Sequence, residues 1–257
     1  MFQQTYRGDS EGRLVLTGRS PLDRVKTEIV ASTLALTPEQ QSHIEPAVKR
    51  LEQLGQTVTD GPTYRLESFE AGGTLTLYLS RRSYFDSVLL KQHPEWGVRS
   101  QVLAVVVVTE CRDGFVIERR SDKVAALPGY LHPAPSGSVE PPAHPLDTVY
   151  GEAKEELGLE AQEISDVLCL GLIFAERSGV YLLAARATTQ LDLETLRGRA
   201  CSGEWERSEL ICAPKEREAL STWIQEVGDR LSPAGRTALV LEGARRWGND
   251  FLEEHLT

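Results

Sequence analysis

The chain has 257 residues, 40% hydrophobic and 26% charged, the make-up of a globular protein long enough for one or two domains. A net charge of −10 speaks against nucleic-acid binding, because affinity for a phosphate backbone comes from basic side chains displacing counterions. No apolar stretch approaches the roughly 20 residues of a membrane span, and the start has no basic stretch followed by an apolar one, so a cytoplasmic protein with no membrane partner is expected.

Residues 13–18 (RLVLTG) read as a short strand. Thr37-Pro38-Glu39-Gln40 then offers an N-cap, a proline at the first helical position and a capping-box partner, which predicts a helix to about Leu54, closed by Gly55. TYRLESFE and TLTLYLS flank Ala71-Gly72-Gly73 as a hairpin with one face buried. Ser83 to Gln92 reads as a helix ended by His93-Pro94, and HPEWGVRS as a junction. Residues 1–98 are therefore expected to form a smaller α+β domain ahead of a second one at 99–257.

Beyond the junction, VLAVVVV is expected to be a strand covered on both faces, with Asp113-Gly114 turning it into FVIER. A Pro/Gly/Ala/Ser-rich loop spans 128–145, and an amphipathic helix follows at about 145–157. VLCLGLIFA and VYLLAARA read as another hairpin, ELICAP as a short strand, and 215–256 as mostly helical. Four cysteines without a C-x-x-C pair point to reduced thiols rather than a zinc cluster or a disulfide framework. Five histidines with no H-x-x-x-H spacing leave a histidine-based metal site without support.

The helix ending GEAKEELGLE concentrates carboxylates. At about 100° per residue, Glu152 and Glu156 lie one turn apart beside Glu155, while Leu146, Val149, Tyr150, Ala153 and Leu157 project from the other side. A solvated acidic face is one reading. Two costs speak against it: like charges one turn apart with no nearby cation, and Gly151 inside the helix at about 1 kcal/mol relative to Ala. A divalent cation would remove the repulsion, since Mg2+ is held by a few carboxylates plus phosphate oxygens.

Gly137, Glu152, Glu155, Glu156, Gly158 and Leu159 fall in the register of the Nudix box, G-x5-E-x7-R-E-U-x-E-E-x-G-U, with Ala153 at a U position, so the chain resembles the Nudix hydrolases. Two positions depart: Ala143 stands for the first box glutamate and Gly151 for the box arginine, which in the family orients carboxylates. Pro135-Ser136-Gly137-Ser138-Val139-Glu140-Pro141 is similar to a loop of several branches. Tyr64-Arg65-Leu66, Ser83-Tyr84 and Asp86 resemble the extra domain of the UDP-glucose/UDP-galactose pyrophosphatase branch.

The resemblance implies a Nudix α/β/α sandwich with a mixed sheet, and Mg2+ or Mn2+ held by Glu152, Glu156 and the carbonyl of Gly137. Glu155 would be a further ligand or would orient a water. The general base would be a box glutamate or one from CSGEWERSEL (Glu204, Glu206, Glu209), where we take Glu206 as candidate. Arg119, Arg120 and Lys123 could meet phosphate or a sugar acid, or could be edge-strand charges. Trp205 and Tyr84 could stack on a base or sugar, or simply pack. Glu140 could lie near the metal or on the surface. The expected activity is hydrolysis of a nucleotide diphosphate substrate, with a UDP-sugar first, to a nucleoside monophosphate and a sugar 1-phosphate. Alternatives are ADP-ribose or another nucleotide diphosphate, or a silent domain that only binds such a ligand. A homodimer is left open.

Overall fold

The computed structural model describes residues 2–7, 12–56, 58–124 and 126–256, and the Glu204 side chain lies outside the described ones. Strands β1 (Gln3–Arg7), β2 (Arg13–Pro21) and β3 (Lys26–Ile29) precede helices α1 (Pro38–Gln41) and α2 (Ile44–Gln53). The hairpin β4 (Pro62–Ala71) and β5 (Leu75–Ser83) runs into α3 (Tyr84–Gln92). Next come β6 (Val102–Glu110), β7 (Phe115–Arg120), β8 (Leu131–Pro133), β9 (Ser136–Ser138) and α4 (Pro145–Leu157). A second hairpin, β10 (Ser165–Ala175) and β11 (Val180–Thr188), leads to α5 (Leu193–Arg197) and β12 (Arg207–Ala213). Helices α6 (Arg217–Val227), α7 (Pro233–Trp247) and α8 (Asn249–His255) close the chain.

The strands form a mixed sheet in the order β1-β2-β10-β11-β6-β4-β5-β3, from which β7, β8, β9 and β12 branch. The β11–β6 and β3–β5 pairs are parallel, and the others antiparallel. Strand β6 organises both layers through its two-residue alternation. Leu103, Val105 and Val107 join a core cluster with Val149, Ala153 and Leu157 of α4. Val106 and Val108 join the opposite cluster with Leu220 and Ile224 of α6, Ala238 of α7 and Phe251 of α8. Each such Val, Leu, Ile or Phe contributes about 1.5–3 kcal/mol on full burial, so the sheet is held between α4 and the C-terminal helices. That is the mixed α+β, helix–sheet–helix layering expected, and residues 102–108 are buried throughout.

The helix expected from Thr37 to Leu54 is broken. The Thr37 capping box forms, but α1 stops at Gln41 and α2 restarts at Ile44. Pro46 explains the break: it has no N–H to donate, and its ring collides with the carbonyl four residues back, so it is tolerated only in a first helical turn. The restart gives it that place. Strands β1 and β3 and helix α5 were not anticipated, nor were β8 and β9 inside the supposed loop.

Strand β2 pairs with β10, and Arg65 of β4 pairs with Val102 of β6, so the sheet runs across the junction placed at residues 98–99. The division into 1–98 and 99–257 stays a proposal about autonomous folding. Among the described residues, no helix is long and apolar enough to cross a membrane.

Candidate functional site

Helix α4 is fixed at both ends by local chemistry. His144 Nδ1 accepts from Leu146 N–H at 3.1 Å, Asp147 accepts from His144 N–H at 2.9 Å, and Pro145 occupies the first helical position. Gly158 closes the helix at φ 65°, the left-handed conformation that glycine adopts without a Cβ penalty. With the apolar side seated on β6, Glu156 is carried inward and is only 3% exposed. Ser136 N–H of β9 donates to its carboxylate at 3.2 Å. Its neighbour Glu152 is half-buried and Glu155 exposed.

Strand β9 lies against β6 through the pairs Ala104–Ser138, Val105–Gly137 and Val106–Ser136. This puts Gly137 directly under Glu152: a Cβ at position 137 would overlap the Glu152 carboxylate. Three of the residues singled out in the sequence, Gly137, Glu152 and Glu156, are therefore brought together.

Around them the charge is unbalanced. Burial, then the neighbouring Glu155, Glu206, Glu140 and Glu118, push the Glu152 carboxyl up to about 8. Burial first, then Glu118 and Glu152, raise Glu156 well above the carboxylate range. Glu206 is also raised by burial, with Arg120 opposing the shift and Glu155 adding to it. It is delivered by a 3-10 turn at Ser202–Glu206, anchored where Ser121 N–H donates to the Glu206 carbonyl at 2.8 Å. Gly203 lets that turn approach the Glu155 backbone, and the Arg207 guanidinium donates to the Glu156 carbonyl at the end of α4.

Sequence reasoning missed Glu118. It sits on β7, 1% exposed, raised mainly by burial, and paired with Arg120 at 3.0 Å. A signal was present: a glutamate directly after Phe-Val-Ile on a buried strand needs a partner. Strand alternation places Glu118 and Arg120 on one face and Arg119 on the other. Arg119 is half-exposed and pairs with Glu209 at 3.3 Å. Arg120 joins the acidic group, and Tyr84, raised by burial, feels both Arg120 and Glu206. Trp205 is 43% exposed, and Glu140 is exposed.

The donor set of Glu152, Glu156 and the Gly137 carbonyl is all oxygen, the chemistry of a hard cation such as Mg2+ or Mn2+. Among the described residues, no three His, Cys, Asp or Glu side chains gather into a ready-made metal cage. Mg2+ does not require one, since it commonly takes one or two carboxylates and completes its shell with water and substrate phosphate. Buried carboxylates held off their charged form, facing a glycine whose side chain would fill the gap, fit such an ion.

Gly151, where an arginine was expected from the box, is exposed on α4, and a Cβ there meets nothing within 4 Å. Gly151→Ala is accordingly expected to stabilise the protein by about 0.5–1 kcal/mol, seen as a higher denaturant midpoint at unchanged slope. A lower midpoint would mean that something occupies that face.

No family model matches this chain, and no curated protein matches it. Among solved structures, it is similar to DR0079 from Deinococcus radiodurans, at 18% identity over 56% of this chain and 84% of that one, with a TM-score of 0.40. It is also similar to a C. elegans Ap4A hydrolase in a binary complex, at 16% identity over 57% of this chain and 96% of that one, with a TM-score of 0.39. At these scores neither likeness carries weight for family or activity.

Proposed function

We propose that the protein is a metal-dependent Nudix pyrophosphatase, hydrolysing the diphosphate of a nucleotide-linked substrate, with a UDP-sugar the first candidate. The observation that carries this reading is the apposition of Gly137, on β9, with Glu152 and buried Glu156 of α4, two carboxyls held away from their charged form. When bound, a divalent cation supplies neutralisation of the diphosphate and activation of the attacking water. Glu152 and Glu156 would hold it, with the Gly137 carbonyl. Glu155 and Glu206 are the candidates to take the water's proton, and burial raises the Glu206 carboxyl, which makes it a stronger base when ionised. Arg120 supplies positive charge beside the group, and Tyr84 offers a ring and a hydroxyl from the N-terminal half.

A second reading, a domain that binds such a ligand without hydrolysis, is favoured by the empty space at Gly151, because the orienting arginine has no replacement at that position. The two part in one assay. NDP-sugars, ADP-ribose, NADH and dinucleoside polyphosphates are incubated with Mg2+ or Mn2+ and released monophosphate is measured. Turnover of a UDP-hexose that stops in EDTA is the expected result. Binding without turnover on every substrate would select the second reading, and turnover indifferent to EDTA would remove the metal site.

A further inference from the structure

Away from the carboxylates, two of the four cysteines meet. Cys111, the residue after β6, is buried, while Cys212 near the end of β12 is half-buried, and their sulfurs lie 3.5 Å apart although 101 residues separate them. The turn that joins β6 to β7 makes the meeting possible. Cys111 N–H donates to the Gly114 carbonyl at 2.8 Å, and a side chain on Gly114 would collide with the Ala213 carbonyl and pack against Cys212. The two thiols thus face each other over a position without a side chain.

We propose that Cys111 and Cys212 are a reversible dithiol–disulfide site, closed by low-molecular-weight disulfides and reopened by thiols. The half-buried Cys212 is the sulfur that a reagent can reach. Its thiolate displaces one thiolate from the reagent and forms a mixed disulfide. Cys111, already in contact, then attacks the Cys212 sulfur and releases the second reagent thiol. Two protein S–H bonds are lost and one S–S bond forms. The reagent's S–S bond is reduced, and its two thiols carry away the two protons.

Access selects Cys212 for the first step and charge favours Cys111 for the second. The hydrogen bond from Cys212 holds the Cys111 thiol down at about 6, ready to attack the mixed disulfide, while the same contact and burial raise Cys212 and slow its own first attack. Cys169 is the contrast: complete burial pushes it up to about 12. Closure would tie the β6–β7 turn to β12, the strand whose first residue, Arg207, donates to the Glu156 carbonyl.

The test needs neither metal nor substrate, so it stands or falls separately from the proposed hydrolase. The reduced full-length protein is equilibrated in mixtures of oxidised and reduced glutathione, quenched in acid, unfolded, alkylated and mapped by mass spectrometry. Expected are the loss of two of the four alkylatable thiols, a peptide pair joined through residues 111 and 212, and full reversal by dithiothreitol. The Cys201→Ser variant should keep this cross-link, and Cys111→Ser should stop at a glutathione adduct on Cys212. Four reactive thiols throughout, a lasting adduct on Cys212 of the wild type, or a cross-link through Cys169 or Cys201 would each overturn the proposal. The wild-type map decides alone if a variant fails to fold.

Discussion

In EDTA at about pH 8, Glu156→Gln is expected to melt above the wild type, by about 1–3 kcal/mol or roughly 3–10 °C, and to lose at least about 100-fold in turnover once Mg2+ is restored. The gain in stability follows from what the folded chain does to this carboxyl. Burial raises Glu156, and Glu152, Glu118 and Glu206 are raised around it, each chiefly by burial. These carboxyls therefore hold more protons in the folded state than in the unfolded chain, Glu152 from about pH 4.5 to about 8. The stability these carboxyls contribute without metal is full below about pH 4.5 and falls as pH rises through their folded values.

Glutamine keeps the acceptor that Ser136 N–H needs and removes the ionisation, so one of the groups causing that fall is gone. Melting temperatures at about pH 5 and about pH 8, each with EDTA and with Mg2+, separate the contributions. The wild type should lose stability between the two pH values in EDTA and regain it with Mg2+, while the variant responds less to both. A variant that melts lower than wild type in EDTA at both pH values would show that the charged Glu156 has a protein partner, and the cation reading of the site would fall with that result.

How far the sequence foretells this site depends on whether the information is local. The alternation of β6, the apolar side of α4 and the left-handed stop at Gly158 are carried by neighbouring residues, and all were legible. The Gly137–Glu152–Glu156 grouping was legible only because a resemblance supplied the spacing, since nothing in Ser136-Gly137-Ser138 has the β-branched or aromatic character of a strand. Strand β9 exists because β6 offers it a ladder and α4 covers it. Arg120 was named beside Arg119 without a way to choose between them, and Glu118 was missed, because which face of β7 turns to the carboxylates is not a local property. The break before α2 was readable, because Pro46 is in plain view, and the expected 37–54 helix gave it too little weight.

Removing the Glu242 carboxylate is expected to cost about 3–5 kcal/mol, the other large effect. Glu242 stands in the middle of α7 with 0% exposure and meets three guanidinium groups: Arg245 at 2.6 Å, Arg246 at 2.8 Å and Arg186 of β11 at 3.3 Å. Glu110, at the end of β6, shares two of them, taking Arg186 at 3.0 Å and Arg246 at 2.5 Å. The cluster thereby ties α7 to two adjacent strands of the sheet. Glu242→Gln keeps the shape but removes the charge, which leaves Arg186, 11% exposed, and Arg246 to share the one Glu110 carboxylate. Exposed pairs are the contrast. Arg119–Glu209 stands half in solvent, and Glu209→Ala should change stability by less than about 1 kcal/mol, with any effect vanishing in salt. Chemical denaturation of both variants at low and high ionic strength makes the comparison. The Glu242→Gln loss should persist in salt, because the water that would screen it is excluded from the cluster. A loss below about 1 kcal/mol, or one that salt abolishes, would mean that α7 is held by its apolar face alone, through Ala238, Leu239 and Val240.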